Sequence, residues 1–176
     1  LSYRYLAHTA DLRAALDGTD LAALYQSAAD LVREILVGGS DVATAERRCL
    51  AVEGGEEAER FFRFVRGLLF LYDCEGFLPA RVAGARGRGE VRSAGAVGVG
   101  GKVRASGEVG VGGKVRAGGE VGASADAGAG GEVCVHGELF DPARHASEHQ
   151  VKAVTRHGYR FERTPAGYEA ELLFDL

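Results

Sequence analysis

The last stretch of the chain decides the fold: Val151-Lys152-Ala153-Val154-Thr155-Arg156-His157-Gly158-Tyr159-Arg160-Phe161-Glu162-Arg163-Thr164-Pro165-Ala166-Gly167-Tyr168-Glu169-Ala170-Glu171-Leu172-Leu173-Phe174-Asp175-Leu176. Val151 to Thr155, Tyr159 to Arg163 and Tyr168 to Phe174 read as strands, separated by the turn material Arg156-His157-Gly158 and Thr164-Pro165-Ala166-Gly167. This is the pattern of an antiparallel meander. Upstream, Leu12, Ala14 and Leu16 alternate with more variable positions, and Cys49-Leu50-Ala51-Val52 is a short apolar run, so both add strands.

Two segments follow a helical period instead. Leu21, Leu24, Tyr25, Ala28, Leu31, Val32 and Ile35 recur at helical spacing, with Thr19 or Asp20 able to cap the start and Gly38-Gly39 able to end the helix. The second helix opens with Glu56, Glu57 and Glu59, which suit a positive helix N-terminus, and continues through Phe61, Phe62, Val65, Leu68, Leu69 and Tyr72. It should stop by Gly76. Gly67 inside it costs about 1 kcal/mol relative to Ala, which points to close packing against a neighbour. Two helices among roughly seven strands imply an α+β fold, a compact sandwich of mainly antiparallel β-sheet with two amphipathic α-helices packed on it.

The chain of 176 residues carries 27 glycines, and 17 of them lie between Gly84 and Gly131. A twelve-residue unit recurs there, Gly101 to Ala105 reappearing as Gly113 to Ala117. Every valine of the window is odd-numbered, so an extended backbone would put all of them on one face and the charges on the other. That alternation favours a β-extension, whereas the glycine density and lack of aromatics favour disorder. Both remain open. The expectation is a single domain, 1–176, with 84–131 as an insertion.

Composition narrows the function classes. The longest apolar stretch, Leu68 to Tyr72, is far short of the ~20 residues of a membrane span, so no membrane partner is expected. Three widely separated cysteines, Cys49, Cys74 and Cys134, imply neither a disulfide framework nor a zinc knuckle, and a reducing cytoplasm fits best. The glycines near Lys102 and Lys114 do not form a phosphate loop, because Ala96 and Glu108 stand where its first glycine belongs and Val103 and Val115 replace its Ser/Thr. His145-Ala146-Ser147-Glu148-His149 spells H-x-x-E-H, but zinc chemistry needs it on a helix. A surface loop after Pro142 is the expectation. The net charge of −4 resolves into +3 for the window and −7 for the remainder, which argues against nucleic-acid binding by the body and for a solvated basic face on the repeat.

The two ends hold the more informative chemistry. His8-Thr9-Ala10-Asp11 ends the first strand in a turn, and the chain finishes on Phe174-Asp175-Leu176 with a carboxylate on the last residue. A hard divalent cation held by oxygens is one way to stabilise such a cluster; a solvated acidic tail is the other.

Three separated blocks resemble the archease family. They are Tyr3-Arg4-Tyr5-Leu6-Ala7-His8-Thr9-Ala10-Asp11-Leu12 with Gly18-Thr19 and the helix after it, Leu71-Tyr72-Asp73-Cys74-Glu75-Gly76-Phe77-Leu78, and Gly137-Glu138-Leu139-Phe140-Asp141-Pro142 with His145, Val151 to His157 and Phe174-Asp175-Leu176. The resemblance implies a non-enzymatic, cytoplasmic activator of a GTP-dependent tRNA-splicing RNA ligase, which joins 3′-phosphate or 2′,3′-cyclic phosphate ends to 5′-hydroxyl ends. It implies promotion of ligase guanylylation and turnover, with no direct sequence-specific nucleic-acid binding. Asp11 and Asp175 would bind a metal, calcium in the family, through their side chains and Leu176 through its carboxylate, with His8 and Lys152 as polar support and no catalytic residue. The sequence departs from the family pattern at Ala7 and Gln150, usually acidic, at Arg13, usually small, and in the length of the repeat. A stand-alone phosphoester hydrolase using His8, Asp11 and Asp175 around a metal is the alternative from the same residues.

Overall fold

A computed structural model of the chain describes residues 3–6, 11–53, 55–86, 130–147 and 150–176. In chain order the elements are β1 (Tyr3–Leu6), β2 (Leu12–Gly18), α1 (Leu21–Val37), β3 (Glu46–Glu53), α2 (Glu57–Glu75), β4 (Phe77–Arg86), β5 (Gly130–Leu139), β6 (Ala153–Thr164) and β7 (Gly167–Asp175). The strands form two sheets, a four-stranded one ordered β1-β2-β7-β6 and a three-stranded one ordered β3-β5-β4, and every pairing is antiparallel. The fold is α+β, as the periodicities require.

The helices form the middle layer. α1 packs on β2 and β7 of one sheet and β4 of the other, while α2 packs on β6 on one side and on β3, β4 and β5 on the other. This explains why burial on α1 runs beyond its expected stripe to include Ala29, Leu36, Val37 and even Asp30; a helix between two sheets is covered on most of its circumference. Asp20 is the N-cap, its carboxylate accepting from the Ala23 N–H at 2.8 Å. α2 ends at Gly76, whose left-handed backbone (φ 68°) turns the chain directly into β4. Gly67 is where the tight approach occurs: a Cβ there would lie 2.9 Å from Leu50 Cδ1 on β3.

Where β4 would otherwise present an unpaired sheet edge to α1, Gln26 completes it. Its amide donates to the Ala80 carbonyl at 3.1 Å and accepts from the Val82 N–H at 2.8 Å, so a side chain takes the place of a further strand. Gln26 also donates to buried Asp30 at 3.1 Å, and Asp30 pairs with Arg33 at 2.9 Å.

Three expectations are corrected. Arg156-His157-Gly158 is not a turn between strands: β6 runs through it, and the register with β7 shifts between Thr155 and Arg160. Gly158, at φ 66°, accommodates the irregularity. The cysteines do pair: Cys49 and Cys134 face each other in the β3–β5 ladder with Cα atoms 4.0 Å apart and form a disulfide, leaving Cys74 exposed as a free thiol. Strand register brings them together, and their separation of 85 residues carries no hint of it. Thirdly, His145 is no surface residue, being 3% exposed. Most of the 84–131 repeat lies outside the described residues; its flanks, up to Arg86 and from Gly130, belong to paired strands β4 and β5.

Candidate metal centre

Three strand ends meet at one end of the four-stranded sheet. Phe174 of β7 lies between Leu12 of β2 and Val154 of β6, and this apolar row is held by the core, with Phe174 fully buried. Alternation along β7 then turns Asp175 to the opposite face. Beyond the row come Asp11, preceding β2, Asp175 opposite Ala153 of β6, and then Leu176 and Lys152, which precedes β6. Asp11, Asp175 and Leu176 are all half-buried.

Lys152 extends the β6–β7 ladder and charges it. Its main-chain N–H donates to the Asp175 carbonyl at 2.8 Å, and its ammonium donates to the Leu176 main-chain oxygen at 2.5 Å. Arg13, two residues after Asp11, forms an ion pair with Glu171. The donor set is therefore hard oxygen, two aspartates and the main-chain oxygen of Leu176, beside the cations Lys152 and Arg13. That set fits a hard divalent cation such as calcium and does not fit a soft one. Four of the predicted positions, Asp11, Lys152, Asp175 and Leu176, are brought to the same sheet end; His8 lies outside the described residues.

A second polar centre went unread in the sequence. Glu138, near the end of β5, accepts from the Ala43 N–H at 2.6 Å and from both Arg144 terminal nitrogens at 2.7 and 3.1 Å. His145 Nδ1 accepts from the Asp141 N–H at 2.9 Å, so Nε2 carries the proton and faces Glu138 Oε1 at 3.3 Å. Hydrogen bonds from Arg144 first and the Ala43 amide second hold the Glu138 carboxyl down at about 2. A carboxylate this saturated with donors is a poor base. It serves to lock the segments around Ala43 and Arg144 onto β5. Of the H-x-x-E-H residues, His145 follows a turn and is not on a helix, and its Nδ1 is taken by the Asp141 N–H; Glu148 and His149 lie outside the described residues. The signal that could have exposed this centre is Glu138 with Arg144 and His145 following it closely in the chain.

Comparison with known proteins agrees with this architecture. A curated relative, protein archease of Pyrococcus furiosus, is 23% identical over 179 residues, covering 99% of this chain and 98% of its own. Among solved structures, the solution structure of protein 1598 of Methanobacterium thermoautotrophicum aligns with a TM-score of 0.66 at 19% identity, over 99% of this chain and 98% of that one. A crystal structure from Thermotoga maritima described as an archease, possible chaperone, aligns with a TM-score of 0.51 at 17% identity, over 97% and 94%. The family model described as the Archease protein family matches residues 3–117 and 120–176, and on that near-complete match the chain belongs to the archease family.

Proposed function

We propose that this chain is a metal-binding, non-enzymatic activator of a GTP-dependent RNA ligase that joins 3′-phosphate or 2′,3′-cyclic phosphate ends to 5′-hydroxyl ends in tRNA splicing and RNA repair, acting in the cytoplasm. The observation that carries the reading is the convergence of Asp11, Asp175 and Leu176 at one sheet end. Asp11 and Asp175 would hold the cation by side-chain oxygens and Leu176 by main-chain oxygen, with His8 and Lys152 as support. When bound, the cation supplies positive charge able to offset the carboxylates of the partner surface or the phosphates of its nucleotide.

The chain's own residues do the positioning. β7 is paired with β2 up to Phe174, and Asp175 itself is held in the β6–β7 ladder opposite Ala153. Lys152 restrains Leu176 through its ammonium. The nearby pairing of Arg13 with Glu171 keeps that carboxylate occupied.

The test is a calcium titration by calorimetry together with a guanylylation assay of the ligase from the same cell. Wild-type chain should bind calcium and raise ligase guanylylation, and Asp11→Asn or Asp175→Asn should lose both. Variants that still stimulate the ligase fully would remove the metal from the mechanism. Phosphoester hydrolysis by the chain and metal alone would replace the activator reading with the enzyme one.

A further inference from the structure

We propose that the Cys49–Cys134 disulfide is a thiol–disulfide exchange site, at which an external dithiol attacks Cys49 and Cys134 departs as a thiolate. The two cysteine residues differ in exposure. On β3 the exposed residues Arg47, Cys49, Ala51 and Glu53 alternate with the more buried Arg48, Leu50 and Val52, so Cys49 lies on the face turned away from the helices. Cys134, on the central strand of that sheet, is 5% exposed. An incoming thiolate therefore meets Cys49 first.

The leaving side is prepared electrostatically. The Arg47 guanidinium donates to Cys134 Sγ at 3.1 Å. In the ladder Arg47 faces His136, and His136 faces Arg81 on β4, so the row of residues next to the disulfide is basic across the whole sheet. Among the described residues no carboxylate forms an ion pair with Arg47 or Arg81. Glu132 is the opposing charge, with a carboxylate oxygen within 4.8 Å of both sulfurs. A guanidinium donor at the sulfur favours the Cys134 thiolate and hence its departure. Cys49, Glu132 and Cys134 are also ligand-type groups, but sulfurs bonded to each other offer a metal no thiolate.

The exchange balances in two steps. One thiolate of the dithiol bonds to Cys49 Sγ, the Cys49–Cys134 bond breaks, and its electron pair stays on Cys134 beside Arg47. The second thiolate of the dithiol then attacks its own sulfur in the mixed disulfide and releases Cys49 as a thiolate. The dithiol is oxidised to a disulfide, its two electrons pass to the cysteine pair, and the dithiol's protons go to solvent or to the new thiols. Reduction removes the covalent tie between edge strand β3 and β5.

The experiment uses the full chain purified without reductant. Alkylation under denaturing conditions, read by mass, should label Cys74 alone before dithiothreitol treatment and all three cysteines after it. Three labels before treatment would overturn the proposal without recourse to any variant. In a Cys74→Ser background, brief treatment with glutathione, quenched by alkylation and mapped by peptide mass, should leave the mixed disulfide on Cys49 and the alkyl group on Cys134; glutathione on Cys134 would overturn the order of attack. Arg47→Gln should slow reduction of the wild-type pair by dithiothreitol roughly threefold, with Arg47→Lys restoring it. An unchanged rate in Arg47→Gln would overturn the leaving-group assignment.

Discussion

The four-stranded and three-stranded sheets clasp the same two helices and are finished in different ways. In the larger sheet β7 is central, and the residues at its end are positioned by main-chain ladders from β2 and β6. In the smaller sheet much of the order comes from side chains: the Cys49–Cys134 bridge, the Glu138 network and the Gln26 amide on the edge of β4. Positions set by backbone pairing tolerate new side chains, because the ladder survives the substitution. Buried polar side chains do not, because each lost partner leaves a desolvated group behind. The proposed cation site should thus be separable from stability, and the polar centre of the smaller sheet should not.

The helix layer common to both sheets sets the upper limit of any perturbation. Phe64 is fully buried on α2, with its ring 4.7 Å from that of Tyr25 on α1. Phe64→Ala should cost about 3–5 kcal/mol in urea denaturation, and a cost below about 1 kcal/mol would break the idea of a shared core. Glu138→Gln should come next, at about 1.5–3 kcal/mol, because the Arg144 and Ala43 donors lose their charged partner. Its pH dependence sharpens the contrast. The folded Glu138 carboxyl sits at about 2, against about 4.3 for an unfolded glutamate. Its contribution is complete above the unfolded value and is lost as pH falls from there towards 2. Denaturation midpoints between pH 5 and pH 2.5, roughly, should fall more steeply for wild type than for Glu138→Gln.

Gln26→Ala should cost about 1–2 kcal/mol, since it leaves the Val82 N–H without its acceptor on a covered edge, while the Ala80 carbonyl keeps only the Arg33 donor at 3.3 Å; thermal melts would read it. Asp11→Asn should leave stability within about 0.5 kcal/mol of wild type while abolishing the calcium-induced rise in melting temperature. If instead Asp11→Asn destabilises as strongly as Glu138→Gln, the distinction between the two sheets fails. The smallest effect belongs to the repeat. β4 and β5 are paired from Phe77–Leu139 to Arg86–Glu132, so replacing 91–127 by a short hairpin turn should leave the calcium-induced thermal shift unchanged.

Both helices were legible because each is specified locally. The stripe from Leu21 to Ile35, the cap at Asp20 and the stop at Gly76 are written within a few residues of where they act. Gly67 could be read as a close-packing position, although its partner Leu50 could not be named. The irregularity at Arg156-His157-Gly158 was read as a turn because a bulge and a turn use the same residues; only the partner strand distinguishes them. His145 was misplaced for a related reason, since its burial depends on Glu138 and the Asp141 amide, which fold onto it from β5 and the following turn.

The candidate site divides along the same line. Aspartates near the two ends of the sequence are plain in it, and the archease resemblance singles them out, yet spacing alone favours a solvated tail. Sequence by itself determined the element types, the helix limits and the family, because periodicity, capping and motif order are local properties of the chain. Tertiary structure decided that the helices lie between two sheets, that Cys49 meets Cys134, and that Asp11, Lys152, Asp175 and Leu176 share one sheet end. Those outcomes rest on strand register, and register is fixed by which apolar faces must be buried together.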